Sequence, residues 1–484
     1  MISVLDKDLA SLQEVRNLVA ASKGAQHVYA RLDQKEMDSV VFGLSKRVAQ
    51  AAETLAKLAC EETGFGKWQD KAQKNILASE TLWASMKDMK TIGILHEDHV
   101  KKVIQIGTPM GVIAGIIPST NPTSTVIYKA LIALKSGNSI VFSPHPAAVK
   151  CILATVSILR AGCSELGVDA NLIGCITMPT LEASNELMKH RDVALILATG
   201  GSAMVKAAYS SGTPALGVGP GNVPVYIERS ARVEDAVEKI FRSKGFDNGT
   251  VCASEQAIVV DRCIDTQVRQ AILRHGGMFL VGDNLEKVKK IMEGSGGGMN
   301  PRIVGQSAQY IAKLAGIEIP PQVTLLVGEE PGIGPEYPFS KEKLTQLIGY
   351  YVVEDWQEAC QTCLALLNNG GLGHTLAIHS HNESVIREFA MAKTVSRFLV
   401  NTPSTHGAVG LTTGLAPSLT LGCGTMGGSS TGDNITPLHL INTRWMAYDL
   451  EQPKATAEQR KVSELDVDMI YNLVLEYLDK AKQK

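Results

Sequence analysis

The sequence predicts an α/β protein of two lobes built on parallel sheets, and three observations carry that prediction. At 484 residues the chain exceeds what one hydrophobic core usually serves, so it divides. From Met110 onward, short apolar runs alternate with amphipathic helical stretches: VIAGIIP, TSTVIYKALIALKSG, SIVFSP, AAVKCILATVSILRAG, LIGCITMP and DVALILAT. Strands and helices alternating at this spacing imply right-handed crossovers and a parallel sheet covered on both faces, a Rossmann-like lobe. Past Val218 a second alternation follows, QAIVV, IDTQVRQAILRHG, TLLVG, EDWQEACQTCLALL and TLAIHS, and it builds a smaller α/β lobe.

The remaining elements fit around these lobes. Ser3 to Met89 has apolar positions at three- and four-residue spacing, as in VVFGLSKRVAQAAETLAKLA, and reads as helical cladding. His96 to Ile106, HEDHVKKVIQI, alternates from Val100 onward and reads as a charged hairpin arm. Gly294 to Gly298 is a surface loop by composition. Asn401 to Ser430, rich in Gly, Ser and Thr, suits a segment folded over the mouth of a site. There is no solenoid-type repeat.

Composition excludes several function classes. With 47 basic and 49 acidic residues there is no electrostatic case for a nucleic-acid or membrane-surface partner, so any anionic ligand must be held locally. The N-terminus does not resemble a signal peptide, and no run reads as a membrane span of roughly 18 to 20 apolar residues. The expectation is a soluble cytoplasmic protein. Nine irregularly spaced cysteines fit reduced thiols better than a disulfide framework. Cys360 and Cys363 form a CxxC inside a helical pattern, and one such pair cannot complete a four-ligand zinc site, so it is read as core packing and no metal is expected.

Chemistry concentrates on Lys244 to Val259, KGFDNGTVCASEQAIV, where Cys252 sits on a turn entering an apolar strand. A nucleophilic cysteine needs access and a lowered pKa, and the turn's N–H groups can hold an oxyanion. By the local sequence alone, Cys252 is equally well a small buried hydrophobe. Asn121, in PSTNPT at the end of the strand Val112 to Ile117, is a candidate amide donor or a turn former before Pro122. The glycine turn Thr199, Gly200 and Gly201 follows a strand and opens a helix, a weak phosphate-binding signal by itself.

FDNGTVCASEQ resembles the nucleophile segment of the CoA-acylating branch of the aldehyde dehydrogenase superfamily. The likeness continues through IIPSTNPTST, NSIVFSPHP, ATGGSAMVKAAYSSG, GVGPGNVP and LAPSLTLGCGTMGG, and covers roughly Gly107 to Arg444. The resemblance implies a Rossmann-like cofactor lobe over 1–92 and 111–228, and a catalytic lobe over 229–435. It also implies an oligomerisation arm over 93–110 with 436–450, and hence a homo-dimer or higher homo-oligomer. Cys252 is then the nucleophile and Asn121 the oxyanion donor, while Thr199, Gly200 and Gly201 face the cofactor. Glu342, in KEKLTQLI, matches the glutamate that holds the nicotinamide ribose, rather than being an ordinary exposed carboxylate beside Lys341 and Lys343. Where hydrolytic relatives carry Lys-Pro-Ser-Glu, this chain has Ser143, Pro144, His145 and Pro146, so the ribose grip differs and NAD is expected with NADP left open.

A further departure bears on the reaction. Hydrolytic members carry a water-activating glutamate in a segment like LELGG, whereas Leu216 to Asn222, LGVGPGN, holds no carboxylate. Without a positioned base water is a poor acyl acceptor, and the resemblance supplies coenzyme A instead: a short aliphatic aldehyde, NAD+ and CoA give acyl-CoA and NADH, reversibly. The alternatives are an acyl-phosphate-reducing semialdehyde dehydrogenase and a catalytically dead scaffold. His406 and His439 lie near the covering segments and receive no role.

The likeness fades after about Arg444. Over 451–484, a polar linker containing Pro453 leads to a helix that Ser463 and Asp466 resemble a cap for, with Ile470, Leu473, Val474, Tyr477 and Leu478 on one face. A helix of roughly 15 residues is marginal alone, so the stripe docks on its own subunit or oligomer mate, or it resembles the peptides that recruit acylating aldehyde dehydrogenases to shell proteins of bacterial microcompartments.

Overall fold

The computed structural model describes residues 6–294, 299–450 and 469–476. The chain forms two compact units, Met1–Ile92 with Thr108–Asn442, and Gly93–Gly107 with Thr443–Lys484.

The first unit opens with helices that the sequence caps clearly. Asp6 accepts from the N–H groups of Asp8 and Leu9 to start α1 (Lys7–Tyr29). Asp33 and Glu36 form a reciprocal capping box on α2 (Gln34–Gln50). α3 (Ala52–Thr63) ends on Gly64 in the left-handed region at φ +69°. α4 (Trp68–Ile76) runs on through a π-helical turn, Leu77–Thr81, into α5 (Leu82–Met86).

In the second unit, β1 (Gly93–Asp98) and β2 (Val103–Pro109) pair antiparallel. The first unit then resumes with β3 (Val112–Ile116), α6 (Pro122–Lys135), β4 (Ser139–Ser143), α7 (Val149–Glu165), β5 (Ile173–Cys175), β6 (Val193–Thr199) and β7 (Ala215–Val218). The strands form a parallel sheet in the order β5-β4-β3-β6-β7. Strand order reverses between β3 and β6, and the carboxyl ends of those strands open the crevice where α/β sheets take ligands. Every residue of α6 is buried, Lys129 included; its Nζ donates to the Ile116 and Leu197 carbonyls at 2.7 and 2.8 Å. α2 and α7 pack with it into one core around Leu44, Leu131, Ile152 and Leu159.

One reading from composition needs amending here. The helical stretch Pro146–Glu165 is long and apolar enough, by length and composition, to cross a membrane. Its Cys151, Ile152, Val156, Leu159 and Cys163 face the core of this lobe, so burial of one helix face accounts for the composition.

The second sheet holds β8 (Val223–Ile227), β9 (Glu255–Asp261), β10 (Gly277–Leu280), β11 (Leu325–Glu329), β12 (Leu347–Val353), β13 (Gly373–His379) and β14 (Val395–Val400), in the parallel order β10-β11-β12-β9-β8-β13-β14. Two expectations are corrected. Seven strands against five make this sheet the larger one, not the smaller. The boundary placed at 228 also falls too late, because β8 pairs with β9 and β13. VPVYI is buried on both faces, a pattern any central parallel strand shows, so it cannot reveal which sheet receives it. Cys363 packs with Leu366 and Leu367 on the helix Trp356–Asn368, with Cys360 at the edge of that cluster.

The second unit also takes β15 (Ile441–Ala447), giving a three-stranded sheet in the order β1-β2-β15. Met469–Glu476 is helical and exposes Ile470, Leu473 and Val474. Residues 295–298 of the glycine-rich loop, and Ser463, Asp466, Tyr477 and Leu478, lie outside the described residues.

Candidate active site

A cavity of about 420 Å³ collects the predicted residues, a size suited to a small-molecule site. Its walls include Ile117 to Asn121 after β3, Ser143 to Pro146 after β4, and Thr199 to Gly201 after β6, all at the carboxyl edge of the five-stranded sheet. The opposite wall carries Thr250, Val251, Cys252 and Glu342 from the loops that precede strands of the seven-stranded sheet.

Asn121 occupies the N-cap position of α6, yet its side chain makes no cap bond. An asparagine there would normally satisfy the first turn. Its Oδ1 instead accepts from Lys74 Nζ at 2.7 Å, and its Nδ2 makes only long bonds, 3.3 Å to the Thr250 carbonyl and 3.2 Å to Thr120 Oγ1. The amide is therefore held by its oxygen end and bridges to the segment that carries Cys252.

That segment is unusual in its backbone. Asp247 and Asn248 sit at φ +49° and +50°, a conformation non-glycine residues seldom adopt. The buried Asp247 carboxylate holds the turn: it accepts from Lys71 Nζ at 2.9 Å, from Lys74 Nζ, from Thr250 Oγ1 at 2.7 Å and from the Lys67 N–H at 2.8 Å. Despite burial, Lys74 and Lys71 hold its pKa below the ordinary carboxylate value.

Cys252 is half-buried, with its thiol reachable through the cavity. The lowered pKa expected of it is not what the site provides. Burial, reinforced by the Glu342 carboxylate, pushes the thiol up to about 12, so the resting sulfur is protonated. The counterpart is a residue that sequence reasoning missed. His374 Nε2 lies 3.1 Å from Cys252 Sγ, and His374 Nδ1 lies 2.9 Å from Thr375 Oγ1. Burial, then the nearby Arg397 guanidinium, push this imidazole well below its ordinary range and keep it neutral.

His374 reaches the thiol because of Gly221. The residue precedes β8, the strand between β9 and β13, and a Cβ there would stand 2.2 Å from the Cys252 carbonyl oxygen and 3.2 Å from His374 Cδ2. The Gly221 N–H also donates to Glu342 Oε1 at 2.9 Å. Glu342 is thus no free surface carboxylate; burial pushes its pKa up to about 7.

On the cofactor side, Ser143 Oγ meets Ser184 Oγ at 2.9 Å, and Thr199 Oγ1 meets Thr420 Oγ1 at 3.5 Å. Gly201 begins the helix Ser202–Tyr209 without a side-chain cap, and a Cβ on it would meet nothing within 4 Å. The turn therefore leaves backbone donors open to an anionic group. Of the two histidines left without a role, His406 packs on the Phe246 ring at 4.8 Å and is buried, while His439 caps its own turn at Thr436 and meets Asp433. Neither touches the thiol.

A crevice of dinucleotide type facing a thiol paired with an imidazole defines a class of enzymes that hold a substrate on sulfur beside a redox cofactor. This chain belongs to the aldehyde dehydrogenase family, whose model matches residues 4–295. It is 42% identical over 448 residues to the bifunctional aldehyde-alcohol dehydrogenase of Escherichia coli (strain K12), covering 92% of this chain and 50% of that protein; it spans about half the length of that relative. Among solved structures it superposes on an acetylating aldehyde dehydrogenase from Geobacillus thermoglucosidasius with a TM-score of 0.91 and 48% identity, over 93% of this chain and 100% of the other. Two propionaldehyde dehydrogenases are each 26% identical: one from the fucose utilisation microcompartment of Clostridium phytofermentans, at a TM-score of 0.82 over 91% of this chain and 98% of the other, and one from Rhodopseudomonas palustris with bound propionyl-CoA, at 0.81 over 90% and 94%.

Proposed function

We propose that this chain is a CoA-acylating aldehyde dehydrogenase that converts a short, uncharged aldehyde, NAD+ and CoA to acyl-CoA and NADH, reversibly. The observation that carries the reading is the neutral Cys252–His374 pair, 3.1 Å apart, whose cysteine lies on the wall of a cavity shared with Asn121. An aldehyde carbon loses hydride readily only after it becomes tetrahedral. Cys252 Sγ bonds to that carbon while its proton passes to His374 Nε2, which is an acceptor in the tautomer whose Nδ1–H donates to Thr375. Asn121 Nδ2 donates to the oxygen on which charge develops, a contact that can be worth roughly 10²- to 10³-fold in rate. The residues fit a dinucleotide: Thr199, Gly200 and Gly201 would take its phosphates, Ser143 and Pro144 would flank its adenosine end, and Glu342 would hold the nicotinamide ribose. Bound there, it accepts the hydride and leaves an acyl thioester on Cys252.

The CoA sulfur then bonds to the acyl carbon as the Cys252 sulfur–carbon bond breaks; His374 returns its proton to the departing Cys252 sulfur, and the CoA thiol proton passes to solvent as the one proton the reaction releases. His374 replaces the glutamate of hydrolytic members as the base beside sulfur, and no carboxylate lies in Leu216–Asn222. The acetylating and propionyl-CoA-binding relatives support a thiol as acceptor. No lysine or arginine is among the described residues that line the cavity, which favours an uncharged aldehyde tail. The arm strands support a homo-oligomer, and the exposed apolar helix Met469–Glu476 supports recruitment to microcompartment shell proteins within the cytoplasm, as the compartment of one relative suggests.

The test is a single-turnover measurement. Mixing enzyme, acetaldehyde and NAD+ without CoA is expected to give a burst of NADH near one equivalent per site, then slow turnover; CoA, and not phosphate, restores steady turnover. Cys252→Ala abolishes the burst. Fast turnover to free acid without CoA would sink the acylating reading, and acceleration by phosphate would point to the acyl-phosphate reaction.

A further inference from the structure

Lys74 is a fully buried ammonium with three partners. Its Nζ donates to Asn121 Oδ1 at 2.7 Å, to Asp247 Oδ2, and to Thr250 Oγ1 at 3.2 Å. It therefore touches both halves of the site at once, the amide after β3 and the turn that leads to Cys252. Charge balance alone does not require it, because Asp247 already has Lys71 at 2.9 Å, and Lys71 spends its other bond on the Thr120 carbonyl at 2.8 Å. Asp70 lies to the outer side, accepting from the Asp247 N–H at 2.7 Å. A second ammonium buried beside one carboxylate is costly, and burial lowers its pKa to about 8. The contacts that Lys71 does not duplicate are those to Thr250 Oγ1 and to Asn121, and only the second reaches the amide.

Two consequences follow from that contact. An ammonium accepts no hydrogen bonds, so it can bind only the oxygen end of the amide. This fixes the rotamer and leaves Nδ2 on the cavity side, where its existing bonds are long. A cation on the amide oxygen also polarises the group, making its N–H a stronger donor to a developing negative charge. We propose that Lys74 is a positioning residue for the oxyanion site, orienting and polarising the Asn121 amide while tying it to the turn that presents Cys252. The proposal rests on the reading of Asn121 as the oxyanion donor.

A double-mutant cycle on the CoA-free NADH burst separates this role from a structural one. Asn121→Ala tests the underlying reading, and an unchanged burst rate in that variant would remove it regardless of Lys74. With Asn121→Ala slow, Lys74→Met is expected to cut the burst rate on the order of tenfold or more in the wild-type background and to add nothing in the Asn121→Ala background. Lys74→Arg, which keeps a cation, is expected to recover part of the rate. Should Lys74→Met fold poorly, Lys74→Gln keeps a neutral donor and is expected to show a smaller, equally non-additive loss. Full losses that multiply across the cycle, or a wild-type burst rate in Lys74→Met, would overturn the proposal.

Discussion

At the scale of single residues, the site is a protonated thiol beside a neutral imidazole, and this has a definite pH signature. The Cys252 thiol, pushed up to about 12, stays protonated through the neutral range, while His374, pushed well below ordinary imidazole, stays neutral there. If the imidazole takes the thiol proton as sulfur attacks, the Cys252 and His374 states that react are already dominant, so the burst rate should not climb from pH 7 to 9; it should decline toward pH 9 as Lys74, lowered by burial to about 8, gives up its proton. In His374→Ala the thiol must ionise into water first, so the burst should be slower and climb about tenfold per pH unit over the same range. Stopped-flow NADH absorbance checks both, and a tenfold-per-unit climb in the wild type would rule out proton transfer to His374. Cys252, Asn121 and Glu342, which line one cavity, could be singled out only through the family resemblance of the strings they sit in, since local sequence left each with an ordinary structural reading. His374 could not be: the strand is read as TLAIHS, His374 falls just before it, and nothing local tells a histidine beside a thiol from one in a core.

At the scale of elements, the chemistry uses opposite edges of the two sheets. The five-stranded sheet offers its carboxyl edge, whereas the seven-stranded sheet offers its amino edge: Gly221 just before β8, Cys252 just before β9, and His374 as the second residue of β13. Apolar periodicity gave the first arrangement, since strand-helix alternation from Val112 to Val218 nearly dictates order. It could not give the second, because a β9-β8-β13 neighbourhood brings together residues far apart in sequence, and β10, β12 and β14 carry no clear alternation to announce themselves. The narrow point of this arrangement is Gly221. Replacing it with alanine forces a Cβ to within 2.2 Å of a backbone oxygen, so Gly221→Ala should lower kcat/KM at least a hundredfold and destabilise the fold by about 1–3 kcal/mol. Gly24→Ala in α1, where a Cβ meets nothing within 4 Å, should leave activity unchanged and stability equal or slightly higher. Thermal melts with steady-state kinetics on both variants test the contrast; a Gly221→Ala enzyme of normal activity would mean the window between Cys252 and His374 is wider than drawn.

At the scale of the whole molecule, the second unit stands apart in character. β15 exposes most of its length, including Trp445 and Met446, and the described part of the tail shows Ile470, Leu473 and Val474 to solvent. Exposed apolar surface of this kind marks contact sites. Deleting Val462–Lys484 distinguishes the two uses of the tail. Shell recruitment predicts unchanged specific activity and oligomer size with lost co-localisation with shell proteins, whereas a lower Tm or a smaller oligomer by size-exclusion chromatography would show docking within the enzyme. The first unit carries a different consequence. Lys74, Asn121, Cys252, Glu342 and His374 come from five segments separated by up to 300 positions in the chain, and no two neighbouring segments can build the site alone. Closing such long intervals has a high entropic cost that is recovered only when both sheets have formed and met. A nascent or partly denatured molecule can therefore hold either sheet and still be chemically silent: the seven-stranded sheet alone pairs Cys252 with His374 but lacks the Asn121 amide and the crevice at the edge of the other sheet. Catalytic competence is the last property this chain acquires as it folds and the first it gives up.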